Sequence, residues 1–320
     1  MNIRVNNLFE LSKPNTFKSL LQIGWEYFLI FFIICITLKF FNFFTALIAI
    51  MLIGGRLHSL SAIAHDSVHY RICKNKKIND WIANIFLYYP LFSLQHKYRT
   101  RHLLHHKNNS TDEDPDYIYK KNNIEFKFPQ TKIVFLKNIF KFIFGFHFLI
   151  NFLDSKKSFY NKLKYFLKGA TASRTLDNVT YEKNKQEIVG LVIFNVLFIA
   201  IVMYFFNIWY YILFWFLPIF LYLPFVFRIR SVCEHFGVTK FKIDNSRTMY
   251  PNWFDLVFLG FSWNLSYHLD HHLFPTVPSY NLKKLHAILL QNKDYKENAQ
   301  ITLNGSWGVF KECTNYDFKQ

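Results

Sequence analysis

At 320 residues the chain could hold one or two soluble domains. Its 52% hydrophobic content, rich in Phe, and its charges gathered between apolar runs instead exclude an ordinary soluble enzyme. The net charge of +17 invites a nucleic-acid partner, but the lysines scatter through segments that flank apolar runs. No compact basic helix or nucleic-acid motif is present, so none is expected. Cys35, Cys73, Cys233 and Cys313 form no C-x-x-C pair, which argues for a reducing compartment without disulfides.

Residues 1–20 read as a cytosolic lead-in without a cleaved signal peptide. From Leu21 to about Gly55 the chain is almost wholly apolar. That is too long for one span of roughly 20 residues and right for two. One helix is expected near 21–38 and a second near 41–60, with a tight turn between them. The second runs on into His65 and His69. Residues 81–95 are apolar but short and broken by Pro90, an interfacial segment and not a span. The same reading applies to Phe140–Leu153, which Lys141 and His147 interrupt. Residues 155–187 read as a polar linker. A second apolar block divides at Asn207 and Trp209 into spans near 188–206 and 209–227, the latter kinked by Pro218 and Pro224.

Two hairpins impose a parity. The N-terminus, residues 61–187 and residues 228–320 share one side, and the lysine-rich segments all lie there. The positive-inside rule makes that side cytosolic. The fold class expected is all-α: an integral membrane protein of four transmembrane helices in two hairpins, with a cytosolic helical cap, all in one domain.

Histidine spacing carries the chemistry. His268, His271 and His272 lie within five positions; on a helix they share a face and converge on one cation. The same H-x-x-H-H spacing recurs at His102, His105 and His106, and a shorter pair sits at His65 and His69. Eight imidazoles are too many for one ion, so two metals follow. His235, just past the fourth span, is a ninth candidate. The set exceeds the four ligands of a structural zinc site, and the Glu-x-x-His pairs of a soluble di-iron bundle are absent. Asp66, Glu234 and Asp270 stand next to His65, His235 and His271. Each is expected to accept the far ring N–H of its neighbour and fix its tautomer. His58, His96, His147 and His286 fit no cluster, and Asp112–Asp116 read as a solvated turn or helix cap, with a role near the site as the alternative.

The order H-D-x-x-H at 65–69, H-x-x-H-H at 102–106 followed by Asp114-Pro115-Asp116, E-H-F-G at 234–237, and N-x-x-Y-H-x-x-H-H-x-F-P-x-V-P at 264–278 resembles the integral-membrane fatty acid desaturase superfamily. The resemblance implies a four-span fold whose cytosolic cap holds two iron ions, with O2 as co-substrate and two electrons consumed as hydrogens leave an acyl chain. By that resemblance His65, His69, His102, His105, His106, His235, His268, His271 and His272 are iron ligands, and Asn264, one turn before His268, holds a metal-bound water. Hydroxylases and ketolases share the superfamily. No H-P-G-G motif of a fused haem domain occurs. Electrons are therefore expected from a separate ferredoxin- or cytochrome b5-like protein, for which the basic face offers a dock. A non-catalytic metal carrier is disfavoured, because it would place ionisable groups inside its spans, whereas the apolar blocks hold almost none apart from Glu26 and Lys39 near their ends.

Overall fold

The computed structural model describes residues 5, 7–121, 123–143, 178–238 and 243–315. Most of Phe140–Leu153, with His147, and most of the expected 155–187 linker lie outside them.

Four helices are long and apolar enough to cross a membrane: α1, Thr16–Lys39; α2, Phe43–Val68; α5, Asn178–Phe205; and α6, Ile208–His235. Between them lie α3, Lys76–Ala83, and α4, Gln95–Asn108. After α6 come α7, His268–Leu273; α8, Ser279–Leu289; and α9, Gly305–Thr314. The only regular strands among the described residues are Thr248–Met249 and Ile301–Thr302, paired in parallel. All-α therefore holds.

Local sequence sets the helix ends. Asn15 caps α1 by accepting from the Lys18 N–H at 3.0 Å. Asn42 closes the turn into α2 with a capping box to Thr45. Helix α6 departs from regular pitch in two π-helical stretches, Ile212–Phe216 and Pro218–Tyr222. Pro218 has no N–H to give and its ring crowds the carbonyl four residues earlier, so the bond ladder shifts there. From Ile188 on, helix α5 is apolar on nearly every face, and Val196, Leu197 and Tyr204 are exposed, as a lipid-facing helix should be.

Two expectations need correction. The third span is not preceded by a linker up to residue 187, because α5 starts at Asn178. Its polar first turns have a structural use: the Glu187 carboxylate accepts the His96 N–H at 2.9 Å and so caps α4. Nor does Glu26 stand near the end of its span. Since α1 begins at Thr16, Glu26 lies near the helix middle, buried, 3.4 Å from Arg56 of α2. Trp263 Nε1 donates to the same carboxylate at 2.8 Å. Arg56 in turn donates to the Leu256 carbonyl. A buried charge pair of this kind persists because its remaining hydrogen-bonding capacity is met.

The cap is fastened to the bundle at the far end of α2. Ser59 Oγ and His58 Nδ1 both donate to the Gly260 carbonyl, at 3.0 and 3.2 Å. Gly260 has φ +62°, and a Cβ there would run into the Gly55 carbonyl. Asp66, also on α2, accepts from the Ser279 N–H at 3.0 Å and from its hydroxyl at 2.7 Å, and so caps α8. The N-terminal segment lies on the same side. Asn281 Nδ2 donates to the Leu11 carbonyl at 2.8 Å, and Arg71 Nη1 donates to the Ser12 carbonyl at 2.8 Å.

Candidate metal centre

Nine histidines from α2, α4, α6 and α7 meet where the bundle joins the cap. They form two groups: His65, His69, His102, His106 and His271; and His105, His235, His268 and His272. Within each group one nitrogen per ring lies within 4.8 Å of all the others. The Nε2 atoms of His102 and His106 are 2.8 Å apart, and those of His106 and His271 are 2.9 Å apart. In the second group His235 and His268 Nε2 are 2.9 Å apart, and His268 and His272 Nε2 3.1 Å.

Those spacings fit a common cation. Donors held about 2.1 Å from one centre, at right angles, sit about 3.0 Å from each other. The rings are also poor partners for anything else. Both nitrogens of His65, and Nε2 of His69, are buried without a hydrogen-bond partner. Buried polar atoms left unpaired are costly and call for an explanation; a bound metal supplies one.

The H-x-x-H-H boxes do not converge on one cation each, as their spacing suggested. Each box divides. On α4, His102 and His106 enter the first group while His105 enters the second; on α7, His268 and His272 enter the second while His271 enters the first. The pair at i and i+4 stays together, and the residue at i+3 is about 100° around the helix from its i+4 neighbour. Two helices facing each other in this way share both groups. Ring centroids of His106 and His272, one from each group, are 4.3 Å apart.

Burial favours the neutral form of most of these rings. Burial, followed by repulsion among the rings, pushes His102, His106, His268 and His271 well below the ordinary imidazole range. Burial, with Arg71 nearby, takes His69 down to about 3. The ligating form of histidine is this neutral one.

The carboxylates behind the rings are mostly not the expected ones. Asp66 turns to Ser279, not His65. Asp270 accepts from His286 Nδ1 at 2.8 Å and from the Tyr295 hydroxyl, not from His271. Glu234 accepts from Arg230 Nε at 2.7 Å and lies 3.5 Å from His268 Nδ1, not on His235. The physical reason is direction: side chains at i and i+1 on a helix point about 100° apart and cannot face each other. Asn264 is not one helical turn before His268 either. It sits at φ 60° in an irregular loop, and its amide donates to the Ser279 carbonyl at 3.2 Å.

Two other acids take the tautomer-fixing place. Asp114 Oδ2 is 2.9 Å from His105 Nδ1, and Asp244 Oδ2 is 2.9 Å from His272 Nδ1. Burial works to raise both carboxyls, yet the histidine hydrogen bonds hold them below the ordinary range. Asp114 sits in the D-P-D that follows the second box; Asp244 carries no sequence signal. His286 also gains a partner in Asp270, 16 positions away. His58 stays outside both groups.

The model of the family described as "Fatty acid desaturase" matches residues 41–303. The chain belongs to that family. It is also similar to dihydrorhizobitoxine desaturase of Bradyrhizobium elkanii, at 25% identity over 279 residues, covering 82% of this chain and 71% of that protein. The matched stretch contains all nine clustered histidines, and four helices able to cross a membrane agree with it.

Proposed function

We propose that the nine histidines hold two iron ions and that the protein is an O2-dependent desaturase, removing two hydrogens to form a carbon–carbon double bond. The observation that carries this reading is the pair of adjacent nitrogen-donor groups, one of five imidazoles and one of four, in a chain of the desaturase family. Imidazole alone suits iron, copper and zinc, but zinc has no redox chemistry. Bound iron would supply the capacity to activate O2 and take hydrogen from an unactivated C–H bond. The protein's own share is to keep the imidazoles neutral, to hold the rings of His105 and His272 through Asp114 and Asp244, and to wall the site with buried side chains. Electrons come from a separate carrier protein docking on the basic face.

The substrate is an acyl chain, as in the family's name. The relative from Bradyrhizobium is named for a different molecule, so a small-molecule desaturase is the second reading. The histidines and both ends of the chain face the cytosol. Support comes from the lysine-rich segments on the histidine side and from the uncharged turns, 40–42 and 206–207, on the other. Iron analysis of the purified protein, with mass spectrometry of the products, tests the whole. Loss of two mass units with two irons per chain is expected. Gain of an oxygen atom would make it a hydroxylase, and zinc in place of iron would end the reading.

A further inference from the structure

A cavity of about 690 Å³ opens beside the second histidine group, with His105 and His235 in its wall. That volume is within the usual range for a small-molecule site, roughly 300–1,000 Å³. The same wall contains Lys120. Its Nζ donates to Ser231 Oγ at 2.8 Å and lies over the rings of Phe126 and Phe236, 5.7 and 5.3 Å from their centroids. No carboxylate lies within 4 Å of this ammonium among the described residues.

The acids that line the cavity are engaged elsewhere. Asp114 is on His105, Asp116 on Arg101 and Glu312 on Arg247. The neighbouring Lys121 is exposed and paired with Asp112 at 2.5 Å. Lys120 is thus a half-buried cation, held in place by a hydroxyl and two rings; Asp116 and Glu234 attract it from beyond ion-pair distance, and both are bonded to arginines. Desolvation pushes its ammonium below the ordinary lysine range. A partly desolvated ammonium without a carboxylate in contact is stabilised when an anion reaches it.

We infer that Lys120 receives a free carboxylate of the substrate, so that the preferred substrate is an acid and not an ester, thioester or amide. Of the three lysines in the wall, Lys121 is paired with Asp112 and Lys127 is exposed; the one half-buried cation matches the single charge of a carboxylate better than the roughly doubled charge of a phosphate. The carboxylate end then lies in the same cavity as His105 and His235. That the anion belongs to a substrate rests on the desaturase reading; the binding of the anion does not.

The test uses the full chain, purified from iron-supplemented cells into nanodiscs, with 13C-labelled hexanoate and hexanamide as probes. Binding is read by NMR line broadening against empty nanodiscs. The native protein should bind hexanoate roughly tenfold more tightly than hexanamide, the discrimination expected of one charge-assisted hydrogen bond. Lys120→Gln should reduce the preference to less than about twofold, while Lys120→Arg and Lys121→Gln keep it. Inorganic phosphate at equal concentration should leave hexanoate bound. No preference in the native protein, an undiminished preference in Lys120→Gln, or displacement by phosphate would each overturn the assignment. Iron is measured on the same samples. A preference without iron would keep the anion site and remove the di-iron reading. Iron without a preference would do the reverse.

Discussion

Asp114 offers the sharpest test of how the cap supports the histidines. Its Oδ2 accepts from His105 Nδ1 at 2.9 Å and from the Ser110 N–H at 3.0 Å, while its Oδ1 accepts from the Asp116 N–H at 2.8 Å. The residue is 1% exposed. Asp114→Asn keeps the size but offers one acceptor oxygen where three donors converge. Whichever way the amide turns, its NH2 faces an N–H, and at least one buried donor loses its partner. That costs about 1–3 kcal/mol. Loss of the charge behind His105 also makes its ring a poorer base. Partners of this kind typically account for 10–100-fold in metal affinity, about 1.4–2.7 kcal/mol. Competition with a calibrated chelator should show iron bound to the second group weakened by that factor, while the first group holds. Asp112→Asn is the control, since Asp112 is exposed and touches only Lys121. Equal iron affinity in native protein and Asp114→Asn would refute the role given to Asp114.

Other expectations follow from the same geometry. His271→Ala and His106→Ala should abolish product and lower bound iron, with the protein still found in the membrane fraction; normal turnover in either would defeat the ligand set. Tyr295→Phe removes a buried donor from Asp270 and should lower stability by about 1–3 kcal/mol in denaturant titration, with iron content little changed. Gly260→Ala combines a left-handed backbone with a clash against Gly55, so size-exclusion chromatography should show a large loss of folded protein. The metal-stripped protein should weaken in acid. His69 stays neutral in the folded chain down to about 3, whereas an unfolded histidine protonates near about 6.5. Between those values the unfolded chain binds more protons, so stability falls as pH drops. A Tm equal at pH 7.5 and 5.0 would contradict this.

Much of the architecture was legible because it depends on length. Twenty or more apolar residues in a row have few other fates, and the four long helices fall close to the stretches so marked. Their polar ends were harder. Asn178–Glu187 looks like a linker because its residues are not apolar, yet it is helical and Glu187 works as a cap for α4. Eight of the histidines announced themselves by spacing; His235 stood out by its place just past the fourth span and by the family resemblance. How they divide did not, since that depends on how α4 and α7 face each other. The acids failed for a related reason. Adjacency in sequence placed Asp66, Glu234 and Asp270 beside histidines they do not touch, whereas Asp244 reaches His272 from 28 positions away.

The cluster draws on α2, α4, α6 and α7, and no two neighbouring segments of the chain complete either half of it. Residue 272 is the last to join, after all four long helices have been made. Loading with metal therefore comes late in the life of the newly made chain, once every long helix is inserted and the cap has closed over its ends. Until then both donor groups lack the rings that α7 brings, and neither can close around a cation.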